Sequence, residues 1–340
     1  MSRLSARLDT WFPRTVAMRR LSRLASVDRP VRVFVERTSI DLGTYNYILR
    51  KTPDGVAMAC NIDRIRRRPW LVAPFTRRPA ALIAMFSATD PAIRRCQAES
   101  SDGWESAPGV VSFCAQHAGA ILVPDAEFFL RRGYDGLRRA AAARSVPWIE
   151  RSGEILWRGS STGTGDVAAA DMSPGNTALI PRARLCLMLR DVPGVDARLV
   201  NAVQAPDRNA ALARLKQARI LGEERPPAEW LGRKFAIDID GNCNAWSNLF
   251  TRLLLGCCVI KVASPQGYRQ WYYGDLVPWR NFVPVKSDMS DLMEKIDWCR
   301  RNLAECEAIA AAGRRLAMEM TFAREIARGV ETLNWMLPRD

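Results

Sequence analysis

The chain has 340 residues, more than a single hydrophobic core keeps absorbing, so two domains of ordinary size are expected. Hydrophobic residues at 48% and charged ones at 25% are globular values, and no apolar run approaches the roughly 20 residues that cross a bilayer, so a soluble chain is expected. The net charge of +14, with a pI near 9.8, favours an anionic partner such as nucleic acid, an anionic membrane or a phosphorylated substrate, although an arginine-rich surface with no partner gives the same totals.

Residues 1–25 are basic and amphipathic: Leu4, Leu8, Trp11 and Phe12 share one helical face, and Ala17, Leu21, Leu24 and Ala25 repeat it after Pro13. The interspersed arginines deny this segment the apolar core of a signal peptide. It reads either as a helix lying on an anionic leaflet or as one packed on the protein's own body. Between Val31 and Ile62 apolar and polar residues alternate, which predicts strands, with Pro53, Asp54 and Gly55 as a turn. Ala80 to Phe86 and Val110 to Cys114 read as further buried strands. Another strand ends at Val123, Asp125 follows Pro124, and an Ala/Arg-rich helix begins near Gly136. A carboxylate at a strand end suits base chemistry, and it equally suits the N-cap of a short helical turn.

Pro147 to Glu154 is the predicted linker between the halves. After it a short strand runs into a Gly/Ser/Thr loop, where Arg158 and the backbone of Gly159, Ser160 and Ser161 could wrap an anion. The loop lacks the lysine ending of a P-loop, and a plain surface turn has the same composition. Helices are predicted over Pro181–Arg190 and Asn209–Arg219, with a strand over Ala197–Ala202. One βαβ unit then organises the second half: a strand from Lys234 to Ile239, a polar turn from Asp240 to Asn244, a helix from Ala245 to Leu255 and a strand from Cys257 to Val262. In such a unit the turn sits at the carboxyl edge of a parallel sheet, where phosphate is the usual guest. A last strand covers Phe282 to Val285, and at least three helical pieces follow, the first capped by Asp288 or Ser290 and a later one interrupted at Gly313. The alternation predicts an α/β fold with a doubly wound sheet. The nine cysteines show no CxxC spacing, and His117 is the only histidine, so no metal site is expected and the thiols should be reduced.

Several motifs in one order give a more specific signal. They are WRGS from Trp157 to Ser160, K-F-x-I-D-x-D-G-N-x-N-A-W-S from Lys234 to Ser247, LLLG-x-x-x-I-K-V ending at Val262, and W-Y-Y-x-x-L-x-P-W-x-N-F-V-P-V followed by D-M-S-D-L. Over roughly residues 120–320 this series resembles glycosyltransferase family 90, which includes protein O-glucosyltransferases, capsule xylosyltransferases and bacterial lipopolysaccharide-modifying enzymes. The resemblance implies a GT-B-like fold, two Rossmann-like domains facing across a cleft, with C-terminal helices. The corresponding division is a basic segment 1–25, an acceptor-side domain 26–150, a nucleotide-sugar domain 151–320 and a C-terminal helix 321–340.

The resemblance also implies inverting, metal-independent transfer from a UDP-sugar, with no cofactor besides that donor. Asp125 of the V-P-D element is then the implied general base, with Glu127 as its nearest rival. The implied donor-binding residues are Arg158, Gly159, Ser160, Asp240, Gly241, Asn242, Ser247 and Arg252, because without a metal the leaving diphosphate is neutralised by cations and helix-terminus N–H groups. Two departures stand out: many relatives have His where this chain has Asn281, and Asn242 replaces an arginine found in eukaryotic members, a loss that Arg252 could make good. The implied partners are a UDP-sugar and a lipopolysaccharide or other cell-envelope glycan or glycolipid acceptor, with residues 1–25 as a contact to an anionic membrane. The implied place is the cytoplasmic side of a bacterial inner membrane. The rival readings are an inactive sugar-nucleotide-binding scaffold and a basic nucleic-acid-binding protein, the latter without any recognisable nucleic-acid module.

Overall fold

The computed structural model describes residues 15–27, 29–63, 72–144, 146–244 and 246–339. They divide into two units: one runs to Gly133 and takes in Tyr268–Tyr272 and the chain from Phe322, the other comprises Tyr134–Gly267 and Tyr273–Thr321.

The first unit is built on a six-stranded sheet in the order β1-β3-β2-β4-β5-β7. Its strands are β1 (Val33–Arg37), β2 (Asn46–Thr52), β3 (Gly55–Cys60), β4 (Arg95–Glu99), β5 (Val111–Ser112) and β7 (Ile121–Leu122). β2 runs antiparallel to both its neighbours, joined to β3 by the expected turn at Pro53 and Asp54, so this sheet is mixed. The short strand β6 (Cys114–Ala115) pairs with a later one, β12 (Arg269–Gln270). The run expected as a strand at Ala80–Phe86 is instead a helix, Pro79–Ser87, with seven of its residues buried. A segment that is apolar all round carries no period, and Pro79 at the first helical position with alanines behind it tips the balance.

Residues 15–25 are helical, and Ala17, Leu21 and Ala25, spaced by four, are buried. The Val33 amide donates to Ser22 Oγ at 2.9 Å, so this helix packs on the protein's own sheet. The remainder of the basic segment, residues 1–14, lies outside the described residues. The C-terminal helix Phe322–Met336 belongs to the same unit: Trp271 Nε1 donates to the buried Glu325 carboxylate at 2.9 Å, and the Asp90 amide donates to Asn334.

The second unit contains a five-stranded sheet ordered β13-β11-β10-β8-β9, in which every pairing is parallel. The strands are β8 (Ile155–Gly159), β9 (Val195–Leu199), β10 (Phe235–Asp238), β11 (Cys258–Val262) and β13 (Val283–Val285), with β10 and β11 buried throughout, as a sheet covered on both faces requires. Helix Pro181–Leu189 carries the chain from β8 outward to β9, and Arg208–Gln217 brings it back past β8 to β10. Helix Ser247–Leu254 then leads on to β11. The direction of winding therefore reverses between β8 and β10, and the loops leaving the carboxyl ends of those two strands flank the switch point where ligands of open α/β sheets bind.

The boundary falls before the linker expected at Pro147–Glu154. Helix Asp135–Ala143 already packs in the second unit, with the Tyr134 ring 5.5 Å from Phe250 and Arg138 donating to the carbonyls of Ala317 and Met320. Asp291, rather than Asp288 or Ser290, occupies the cap position of helix Leu292–Arg301, and its side chain accepts from the Lys286 amide. Gly313 does not interrupt helix Leu303–Glu319. It lies buried within it, where a side chain would begin 2.8 Å from Leu253 Cδ2 and 2.9 Å from the Asn281 carbonyl oxygen.

Candidate functional site

In the second unit the loops after β8 and β10 meet. Arg182, one residue into its helix after Pro181, fans its guanidinium across both: Nε donates to the Asp240 carbonyl at 3.0 Å, Nη2 to Ile239, and Nη1 to the Ser160 carbonyl and Thr162 Oγ1. Burial lowers its pKa while Asp238 and Asp240 oppose that shift. Asn242 Oδ1 accepts from the Gly163 amide at 3.1 Å and from Gln204 Nε2 at 2.9 Å. Asn201, on the loop after β9, accepts from the Ser161 amide and donates to Ser160 Oγ. Approach this close leaves no room at Gly241, where a side chain would begin 2.3 Å from Thr162 Oγ1 and 2.9 Å from the Arg182 guanidinium carbon. The structure thus brings Gly159, Ser160, Asp240, Gly241 and Asn242 together. Sequence reasoning missed Arg182, Asn201 and Gln204, which carry no local motif because their partners lie on other loops.

Behind this junction Lys261 Nζ pairs with Asp238 at 3.0 Å, both buried on adjacent strands, and Asn248 Nδ2 donates to the same carboxylate. Burial raises the pKa of Asp240, partly offset by Lys261 and by hydrogen bonds from Ser264 and Asn244. Arg182 and Lys261 thus bring two cations to the carboxylates of Asp238 and Asp240. A crevice of about 40 Å³ opens here, lined by Asp240, Gly241, Thr164, Val262, Ala263 and Gln266. Gln266 Nε2 reaches Thr164 Oγ1 at 3.4 Å across the same loops. Ser247 stands at the first position of helix Ser247–Leu254, whose leading N–H groups face the carboxyl edge of the sheet.

Two expected phosphate contacts are engaged elsewhere. The Arg158 side chain, 6% exposed, is ion-paired with Asp196, and its Nη1 donates to the Trp157 and Asp196 carbonyls. Burial pushes the Asp196 carboxyl up, but the hydrogen bonds from Arg158 and Arg198 hold it below the usual range. Arg252 occupies the last turn of its helix, at the sheet's amino edge, with its guanidinium 3.4 Å from the centre of the Trp230 ring. Burial holds its pKa down to about 10. A helix that starts at the carboxyl edge carries its last turn away from that edge, so Arg252 cannot replace the arginine missing at Asn242. Asn281 is buried and accepts from the Val277 amide at 2.9 Å, closing the turn before β13.

In the first unit Asp125 caps helix Ala126–Leu130: Oδ1 accepts from the Phe128 amide at 2.8 Å and Oδ2 from Gln270 Nε2 at 2.8 Å. The residue is 1% exposed, and burial pushes its pKa up to about 7, against the lowering effect of the Phe128 bond. The N-cap alternative therefore describes what this carboxylate does in the structure. Glu127, in the first turn of the helix, pairs with Arg131 at 2.8 Å and does not share a face with Asp125.

The nine cysteines are all buried and unbridged. Among the described residues, one group has metal-ligand spacing: the sulfurs of Cys258, Cys299 and Cys306 lie within 4.8 Å of one another. They come from a strand and two helices, so no sequence spacing announces them. No described helix is long and apolar enough to cross a membrane.

Comparison with known proteins adds the following. The family described as Glycosyl transferase family 90 matches residues 80–327. Protein 179R of Invertebrate iridescent virus 6, itself described as uncharacterized, is 32% identical over 181 residues, which is 49% of this chain and 15% of that protein. Protein O-glucosyltransferase 3 of Homo sapiens is 35% identical over 88 residues, 26% of this chain and 17% of its own length. The matched stretches thus take up less than a fifth of either relative. Among solved structures, Anabaena Alr3699/HepE in complex with UDP-glucose is similar with a TM-score of 0.37 and 12% identity, over 60% of this chain and 52% of that one.

Proposed function

The chain belongs to glycosyl transferase family 90, and from that premise we propose that it transfers a sugar from a UDP-sugar to a hydroxyl of a lipopolysaccharide or other cell-envelope glycan, with inversion and without a metal. The observation that carries this reading is the junction of the Ser160–Gly163 and Asp240–Asn242 loops through Arg182 at the switch point of a parallel sheet. In the proposed enzyme the two units serve as the acceptor and donor lobes of a GT-B fold. Backbone N–H groups of the two loops, Ser247 and the leading turn of its helix hold the diphosphate, while Gly159 and Gly241 keep side chains out of the way. Asp240, a carboxyl acceptor whose pKa burial raises, is suited to a sugar or ribose hydroxyl rather than to phosphate.

Support for metal independence comes from Asp238, whose carboxylate is already neutralised by Lys261 and held by Asn248. The relatives named protein O-glucosyltransferase support sugar transfer as the reaction. The charge of +14 suits an anionic envelope acceptor and a place at the cytoplasmic face of a membrane. Asp125 is proposed as the base because its raised pKa lies near the operating pH and a strand end fixes its position. To take the acceptor's proton, Oδ2 must exchange the Gln270 amide for the acceptor hydroxyl, which then attacks the anomeric carbon as its bond to UDP breaks.

Incubation with a panel of UDP-sugars and envelope glycans, read by mass spectrometry and by the anomeric coupling of the product, tests this. Transfer with inverted configuration that survives chelator is expected. Neither transfer nor donor hydrolysis with any UDP-sugar would leave the scaffold reading in its place.

A further inference from the structure

The second unit has another concavity, of about 510 Å³, at the amino edge of its sheet and thus opposite the junction described above. Trp148, Arg151, Gly256, Ala310, Arg314 and Met318 are among the residues that line it. Its volume falls within the range of small-molecule sites. Arg151 forms the floor: it is 8% exposed, its Nε donates to the Val146 carbonyl, and its Nη1 donates to the carbonyls of Leu255 and Gly256. These bonds fix the guanidinium and leave Nη2 for the cavity. Arg314 converges on the same spot, since Arg151 Nη1 and Arg314 Cδ both lie 3.2 Å from where a side chain on Gly256 would start. Burial lowers the Arg151 pKa, and the Arg314 charge adds to that effect while Cys257 and Glu307 oppose it.

Glu307 also lines the pocket and its charge acts on Arg151, but Arg314 and Arg315 stand beside them, so the lining carries three cations against one carboxylate. Guanidinium groups held together in excess over the one carboxylate make a seat for a phosphate. The rim is apolar in an unusual way: Ile149, next to Trp148, is 81% exposed and Met318 is 39% exposed. Lys234 Nζ reaches the Ile149 carbonyl at 3.4 Å, so a further cation flanks that protruding side chain. A protruding aliphatic residue flanked by a lysine, beside a pocket with an apolar wall and a cationic floor, fits a molecule with an anionic head and a hydrocarbon body at a membrane surface.

We propose that this pocket seats the phosphate headgroup of an anionic phospholipid, with Arg151 and Arg314 on the phosphate, Trp148 and Met318 against the glycerol and first chain carbons, and Ile149 dipping into the leaflet. The proposal is independent of the sugar-transfer reading.

The test is cosedimentation of the full chain with phosphatidylcholine vesicles, with and without phosphatidylglycerol, at fixed ionic strength. Two variants are compared with the unaltered chain: Arg314→Glu combined with Arg315→Glu, and Ile149→Asp, whose exposed position leaves folding unaffected. The expected result is binding only to phosphatidylglycerol-containing vesicles, weakened about tenfold or more by the double charge reversal and clearly weakened by Ile149→Asp. In a second arm inorganic phosphate is titrated in, and it should not displace the vesicles at millimolar concentration. Undiminished binding by both variants would overturn the proposal, since residues 1–25 or general charge would then account for it. Displacement by inorganic phosphate would overturn it in favour of a free-anion site.

Discussion

Arg182 and Asp240 are joined by a 3.0 Å hydrogen bond from the guanidinium Nε to the main-chain carbonyl, and the same guanidinium also holds Ser160 and Thr162. One side chain therefore fixes the spacing of the two loops assigned to the diphosphate. A planar fork is needed for this, because its acceptors lie in different directions around it.

Arg182→Lys keeps the charge and loses the fork. At least two of the carbonyls it serves would lose their buried partner, at about 1–3 kcal/mol each. UDP affinity measured by calorimetry should fall about tenfold or more and the melting temperature should drop by several degrees. Unchanged UDP affinity in a folded Arg182→Lys protein would detach the arginine from the donor site.

Arg158→Ala separates the motif from the structure. Arg158 is tied to Asp196 and to main-chain carbonyls, so its removal should lower the melting temperature while leaving UDP affinity within about twofold. A large loss of UDP affinity without loss of stability would restore Arg158 to the phosphate.

Asp125→Asn distinguishes base from cap, since asparagine caps a helix as well as aspartate does. The variant should fold and bind UDP normally yet lose transfer by a factor of at least about 100. In the unaltered protein kcat/KM should fall as pH drops through about 7, where the buried carboxyl takes up its proton. The stability argument has the opposite sense. A carboxyl whose folded pKa lies above its unfolded one binds its proton more tightly when folded, so its contribution is greatest below the unfolded value and declines as pH rises to about 7. Asp125→Asn should flatten that decline in urea titrations at successive pH values. Normal turnover in the variant would leave Asp125 a cap alone.

Gly313→Ala should destabilise by about 1–3 kcal/mol, because the new methyl group meets Leu253 and the Asn281 carbonyl inside 3 Å. A helix-interior glycine replaced by alanine would otherwise gain stability. An unchanged or higher melting temperature would show that this packing yields.

The second half of the fold was legible because its strands are apolar runs bounded by turn residues, and the β10 turn and helix are local features. Ala80 to Phe86 was misread because an all-apolar run lacks the period that separates strand from helix. The site divides in the same way. Asp240, Gly241 and Asn242 announce themselves by composition, whereas Arg182, Asn201 and Gln204 act through partners 20 to 58 residues away, and nothing adjacent in the chain marks them. Arg158 and Arg252 show the converse, since a motif position and a charge did not reveal that Asp196 and Trp230 already held them.

The central claim is that the loops after β8 and β10 hold the donor's diphosphate. Hydrogen exchange followed by mass spectrometry, with and without saturating UDP, tests it most directly. Slowed exchange at residues 159–164 and 239–248, with little change at the amino edge of that sheet, is the expected result. Saturable UDP binding that leaves both of those loops exchanging at their free rates would contradict it.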